Sequence, residues 1–539
     1  MTPREVCVIW RYFSVRTLLR GPRATIVFYM AALPGAPRET LLILSDVHLG
    51  SDINDRAAPG AAPRRSQRID QDLTALFRHY ARVAPAGERW RAVIAGDFID
   101  FIGIAIAAEG TRAQLDTAPS EEEIAHGLGN SSDHARAKLQ RVAQRHPEVL
   151  AAIAEFVARG HALTMVHGNH DIEFHWEPVR TEFKAILARL ATVAHPEIDA
   201  AEFLARIEFN PWFFWADGVA YIEHGHQYDA FCATDYVMAP LSPLDPRRIA
   251  RGFTDVFLRY VVRPTKGMKE HGHESKGLTD YITFAVGLGA RGLLRLGWRF
   301  GSAVVELFRL RREYFTDAAR KLREEHERRV ALLAEVTRIG LDRLRALIAL
   351  QVPPVTHSIR GILASVLLDR LAVAMGASLA LVGVAIASWN HGHRWWGAAC
   401  VLVAWALAHR YLSSQRKVEP DALLAERAQH LAKLFPAAFV VMGHTHVPQR
   451  IDVNDGAATY INVGSWAEEE QEADETSSYT AARTHLVIRT TDAGPVADLL
   501  AWDSTDGPRA YAPNAGKTPL VLPPALPAPA LPPAKREKA

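Results

Sequence analysis

Five apolar runs in this 539-residue chain stay hydrophobic until their last residues, then end in Asp, His or Asn. They are TLLILSD, RAVIAGD, ALTMVHGNHD, VAYIEHGH and AFVVMGHTH. Their length and β-branched content predict buried strands. Helix-patterned stretches lie among them: IDQDLTALFRHYARVA, EVLAAIAEFVARG, TEFKAILARLATVA and PDALLAERAQHLAKLF. Strands alternating with helices predict an α/β fold. TYINVGSW, THLVIRT and VADLLAW add further strands late in the chain. In α/β sheets, sites form beyond the carboxyl ends of strands, where loops are free to converge.

The polar strand ends supply the candidate residues. SDVH contains Asp46 and His48, GDFID contains Asp97 and Asp100, and GNHD contains Asn169, His170 and Asp171. HGH contributes His224 and His226, and GHTH contributes His444 and His446. Alternate side chains of an extended segment share a side, so His444 and His446 can converge on one spot. Hard oxygen donors mixed with imidazoles suit Mn, Fe or Zn. The donors outnumber what one tetrahedral ion needs, and a carboxylate can bridge, so two divalent ions in one site are expected. HGHES at 271–275 follows no strand and reads as loop, and His391 and His393 read as solvated. Cys7, Cys232 and Cys400 lie far apart, which excludes a disulfide framework and a CxxC zinc site. The net charge of +2 argues neither for nucleic acid nor against it, and no nucleic-acid partner is expected.

Between the fourth and fifth motifs the character changes. Residues 312–350 are densely charged with apolar positions at helical spacing, and predict one long amphipathic helix. LAVAMGASLALVGVAIASW, 371–389, carries no charge and is long enough to cross a bilayer. With WWGAACVLVAWALAHRYL, 395–412, it reads as a transmembrane hairpin; the alternative is a buried helical pair in a soluble lid. Arg360 and Arg370 precede the pair and Arg410, Arg416 and Lys417 follow it, whereas the connector holds only Arg394. That bias keeps both outer ends, and the α/β domain, on the cytoplasmic side. Upstream, Arg291, Arg295 and Arg299 share one helix face, suiting either a helix in the lipid headgroup layer or a lid helix on the core. The expected organisation is a basic leader (1–39), a first core half (40–235), a helical insertion (236–360), the hairpin (361–412), a second core half (413–507) and a proline-rich tail (508–539).

Taken in order, the five motifs resemble the signature of the calcineurin-like metallophosphoesterases: DxH, GDxxD, GNH[DE], a later His, and GHxH. The resemblance covers about residues 40–235 and 420–505 and implies a four-layer α/β/β/α sandwich, here with a helical, membrane-spanning insertion. It implies that Asp46, His48 and His446 hold one metal, Asn169, His224 and His444 the other, and that Asp97 bridges them. It further implies that His170 is the general acid, oriented by Asp100. Asp171 fills a supporting acceptor position, and His226 either supports the site or faces the substrate. NVGSW, 462–466, is similar to the family's closing strand and turn and is expected to fix the sheet edge.

The reaction so implied is hydrolysis of a phosphomonoester, phosphodiester or pyrophosphate bond in a phosphate-containing substrate. SDVHLG, GDFID and GHTHVPQ, with a helical insertion and membrane segments, are broadly similar to the UDP-diacylglucosamine pyrophosphatases of lipid A synthesis. Those enzymes carry Arg where this chain has His170, and their lid precedes the fourth motif. The expectation is therefore a membrane phosphoesterase acting on a lipid or lipid-linked phosphate. A tethered phosphatase with a soluble substrate and a non-catalytic scaffold are the alternatives.

Overall fold

The computed structural model describes residues 38–55, 67–84, 87–110, 115–265, 268, 283–284, 287–387, 394–414, 420–467 and 483–511. The leader, the HGHES stretch, His391, His393 and the tail from 512 lie outside the described residues. The chain divides into two compact units, residues 1–250 with 317–352 and 421–539, and residues 251–316 with 353–420.

The first unit is a mixed α/β structure built on two mixed sheets. Its strands are β1 (Arg38–Leu44), β2 (Glu88–Ala95), β3 (Ala162–Val166), β4 (Ile207–Asn210), β5 (Phe213–Ala216) and β6 (Gly218–Glu223). Later come β7 (Ala437–Met442), β8 (Gln449–Val453), β9 (Ala458–Asn462), β10 (Thr484–Thr491), β11 (Gly494–Asp503) and β12 (Gly507–Ala510). One sheet runs β12-β11-β10-β1-β2-β3-β4 and the other β5-β6-β7-β9-β8. The strands β1 to β4 are mutually parallel, as are β6, β7 and β9.

The apolar runs are continuous because both faces of each sheet are covered. Leu41 and Ile43 of β1 meet Phe439 and Val441 of β7 in a core between the sheets. The alternate residues Leu42 and Leu44 pack instead on Leu73, Phe77, Phe156 and Phe183, from helices Gln67–Arg82, Pro147–Ala158 and Glu177–Ala194. On the other sheet, Val440 and Met442 pack on Val330, Leu347 and Leu431, from helices Asp317–Thr337, Leu341–Leu350 and Pro420–Leu434. Each such fully buried side chain contributes about 1.5–3 kcal/mol.

Register then positions the loops. Leu44 pairs with Ile94 and Ala95 with Val166, so the chain leaves β1, β2 and β3 side by side. In the second sheet Ile222 pairs with Val441, which aligns the ends of β6 and β7.

The charged stretch 312–350 is three segments, not one helix. Helix Gly289–Tyr314 stops where Thr316 Oγ1 donates to the Glu313 carbonyl at 2.7 Å. A second break falls at Arg338, whose φ is 58°, followed by Gly340 as N-cap of the next helix. Of the stretch 236–360, residues 236–250 and 317–352 group with the strands.

In the second unit, helices Leu368–Ala387 and Arg394–Ser414 pack antiparallel, with Gly397 against Val384 and the Arg370 guanidinium 3.5 Å from the Leu412 carbonyl. Among the described residues one helix, Leu368–Ala387, is long and apolar enough to cross a membrane. The expected second span, Arg394–Ser414, is less apolar, because Trp395, Trp396, His409 and Arg410 lower its mean hydropathy. The arginine row also splits. Arg291 and Arg295 are exposed, whereas Arg299 is half-buried and donates to Thr265 Oγ1 at 2.9 Å.

Candidate metal centre

The residues following β1, β2, β3, β6 and β7 meet at one buried point. The loop after β1 is fastened to the loop after β2, with Val47 and His48 N–H groups both donating to the Asp97 carbonyl at 2.9 Å. Glycine is required where these loops touch. Gly96 has φ of 88°, and a Cβ there would lie 2.5 Å from His224 Nδ1. A Cβ at Gly168 would lie 2.0 Å from Asp97 Oδ1.

Five candidate ligands adopt the left-handed backbone region, with φ of 52° at Asp46, 51° at His48, 54° at Asp97, 71° at His444 and 61° at His446. Each such residue costs about 1–2 kcal/mol, strain of the kind that collects at functional sites. The conformation folds each side chain back toward the common point instead of continuing the strand.

Asp46 Oδ1 lies 3.2 Å from His446 Nε2, 3.9 Å from His48 Nε2 and 4.0 Å from His224 Nε2. Asp97 Oδ2 lies 3.1 Å from His224 Nε2 and 3.7 Å from His48 Nε2. His224 Nε2 is also 3.1 Å from Asn169 Oδ1. The His444 ring centroid is 5.2 Å from that of His224, and the His444 backbone N–H donates to Asp46 Oδ2 at 2.9 Å. Asp46, His48, Asp97, Asn169, His224 and His446 are therefore brought together, with Asp97 reaching both His48 and His224, while the His444 ring lies beside His224 with its Nε2 turned to Asp229.

The donor chemistry fits a cation. The Ala95 carbonyl can only accept, so its 2.9 Å contact uses the Nδ1–H of His224. Were His224 neutral, its Nε2 lone pair would face the oxygens of Asp97 and Asn169. Such converging acceptors repel unless a proton or a cation stands among them. The charges behave accordingly. Burial pushes the Asp46 and Asp97 carboxyls up, but the imidazoles, His224 foremost, outweigh it and hold both below the usual range. Burial lowers His224, and Asp97 and Asp46 overturn that, raising it to about 10. The buried groups Asp46/His48/His446 and Asp46/Asp97/His224 could each hold a metal ion.

Beside them, His170 Nδ1 donates to Asp100 Oδ1 at 2.7 Å, and its backbone N–H donates to Asp97 Oδ1 at 2.8 Å. The His48 and His170 rings meet edge to face, 4.6 Å apart. Asp171 accepts from the Phe98 and Gly168 backbone N–H groups at 2.9 and 2.7 Å, joining the second and third loops. Burial and the Asp97 charge push its carboxyl up to about 7.

Two features were missed from sequence. Asp229 Oδ2 accepts from His444 Nε2 at 3.2 Å, and with Cys232 these residues form a further metal-compatible group. The signal available was an acid three residues beyond HGH. NVGSW does not hold a sheet edge, because β9 lies between β7 and β8. Instead Ser465 Oγ and the Trp466 and Ala467 N–H groups all donate to the Asp46 carbonyl at 3.0 Å, clamping a ligand-bearing loop.

The fold and site define a mixed α/β chain with a buried carboxylate–imidazole centre able to hold metal. No family model matches the chain. A search of curated proteins likewise found no match.

Proposed function

We propose that the chain is a dinuclear, metal-dependent phosphoesterase with the calcineurin-like sandwich, cleaving a phosphoester or pyrophosphate bond of a lipid or lipid-linked substrate at a membrane. The observation that carries this reading is Asp97 Oδ2, placed between His224 Nε2 at 3.1 Å and His48 Nε2 at 3.7 Å. Paired mixed sheets with helices packed on both outer faces, and all donors beyond the carboxyl ends of strands, support it. The exposed, apolar 368–387 helix supports the membrane part.

Asp46, His48 and His446 would hold one cation and Asn169, His224 and His444 the other, with Asp97 shared. When bound, such cations supply Lewis acidity toward phosphoryl oxygens and a hydroxide nucleophile at neutral pH. His170 supplies the proton. Asp100 accepts its Nδ1–H, which fixes the ring and stabilises the imidazolium, leaving Nε2 to protonate the departing oxygen. Asp171 and the Ser465–Ala467 turn keep the ligand loops in place, so little reorganisation accompanies reaction.

The test uses detergent-purified full-length chain, stripped of metal and reloaded with manganese, on matched nitrophenyl phosphate mono- and diesters. Turnover is expected only with metal, and Asp97→Asn is expected to lower it about a thousandfold. Metal-independent turnover that survives Asp97→Asn defeats the hydrolase reading. A lipid-linked pyrophosphate in mixed micelles is expected to be cleaved faster than its soluble analogue. Equal rates shift the substrate to the soluble class.

A further inference from the structure

Helix Gly289–Tyr314 presents two unlike faces. Leu296, Ala303, Glu306 and Leu307 are buried. On the opposite side Leu294, Trp298 and Val305, at spacings of four and seven residues, are 75%, 79% and 70% exposed. Exposed Arg291, Arg295 and Arg312 flank this stripe, and no acidic residue occurs between 281 and 305. Arg309, nearby, is shared with Glu306 and Glu313 at 3.7 and 3.6 Å.

We infer that this face is a docking surface for an anionic lipid bilayer, with the helix lying in the headgroup layer. Three observations select lipid as the occupant. The apolar residues are large and aligned on one exposed stripe, so water solvates them poorly. The flanking charges are of one sign and sit at the polar border of the stripe, where headgroup phosphates lie. The same compact unit carries the 368–387 helix, whose membrane-length apolar window is only 6% buried. Trp298 is suited to this depth, because an indole places an apolar ring and one N–H donor at the interface. Arg299 takes no part, since its guanidinium is turned to Thr265. This surface does not depend on the metal centre.

Because the 368–387 helix would retain the chain in any bilayer, the readout must come from helix 289–314 itself. The full-length chain, with Cys7, Cys232 and Cys400 replaced by Ser, is given one nitroxide label through Leu294→Cys, Trp298→Cys or Val305→Cys. These positions are exposed, and matching thermal melts with the parent confirm the fold. Labelled protein is placed in nanodiscs of phosphatidylcholine, with or without phosphatidylglycerol, and collision with oxygen and with a nickel chelate is measured. In anionic discs, nickel access is expected to fall and oxygen access to rise at all three positions. Arg291→Glu and Arg295→Glu are each expected to shift the docked population back about fivefold. Nickel access equal in detergent and in both discs overturns the proposal. So does nickel protection in detergent that grows with protein concentration, because a second copy would then be the occupant.

Discussion

The two compact units depart from ordinary protein surfaces in opposite directions. The first encloses Asp46, Asp97, Asn169 and His224, each 5% exposed or less, with acceptors facing one another. The second leaves Leu379, Ile386, Trp395 and Trp396 71% to 77% exposed. Buried uncompensated polarity and exposed contiguous apolar surface are the two placements that water does not favour. Each is relieved by something outside the chain: a cation in the first unit, a bilayer in the second, as proposed above. Side-chain identity alone does not separate the units, since both contain arginines and histidines. The difference lies in which groups are denied water.

That contrast breaks first at His170. His170→Asn is expected to slow cleavage of an alkyl phosphate roughly 10²–10⁴-fold while sparing a nitrophenyl ester, whose leaving group needs no proton. An equal loss on both esters removes His170 as the acid. Next comes Asp229, whose carboxylate fixes the His444 ring. Asp229→Asn is expected to weaken manganese binding about 10–100-fold, read by equilibrium dialysis against a chelator. Unchanged affinity makes Asp229 a bystander.

A smaller effect comes from His326, buried in the first unit, whose Nδ1 accepts from the Met238 N–H. Burial, aided by the Arg329 charge, lowers it from 6.5 to about 4. Its contribution is complete above pH 6.5. As pH falls toward 4 the unfolded chain takes up a proton that the folded one does not, at about 1.4 kcal/mol per pH unit. His326→Gln is expected to flatten the acid limb of the melting profile in that window, and an unaltered limb refutes the assignment. The smallest change belongs to the second unit. Leu379→Ser in detergent is expected to shift stability by no more than about 0.5 kcal/mol, since the residue packs on little. A loss of several kcal/mol would mean the helix is a core element and would dissolve the contrast.

The interior of both sheets is readable from residue order alone. β1, β2, β3, β6, β7, β9, β10 and β11 were all legible; except in the partly exposed β11, the reason is that strands buried on two faces must be continuously apolar. The four strands missed, β4, β5, β8 and β12, are the four sheet edges. All four are only four or five residues long, so IEFN or GPRA is too brief to carry a pattern. The donor set was equally legible, because polar residues ending apolar runs are local signals. What those donors do to one another depends on how the strands are packed. Asp97 stands between two imidazoles because β2 is registered against β1 and β3 while His224 arrives from the other sheet. Asp229 and the Ser465–Ala467 turn hold ligands whose sequence separation hides the contact. The arginine row divided for the same reason: spacing places three residues on one helix face, but Thr265 draws Arg299 inward. Periodicity reports which way a side chain points, and only packing supplies what it meets there.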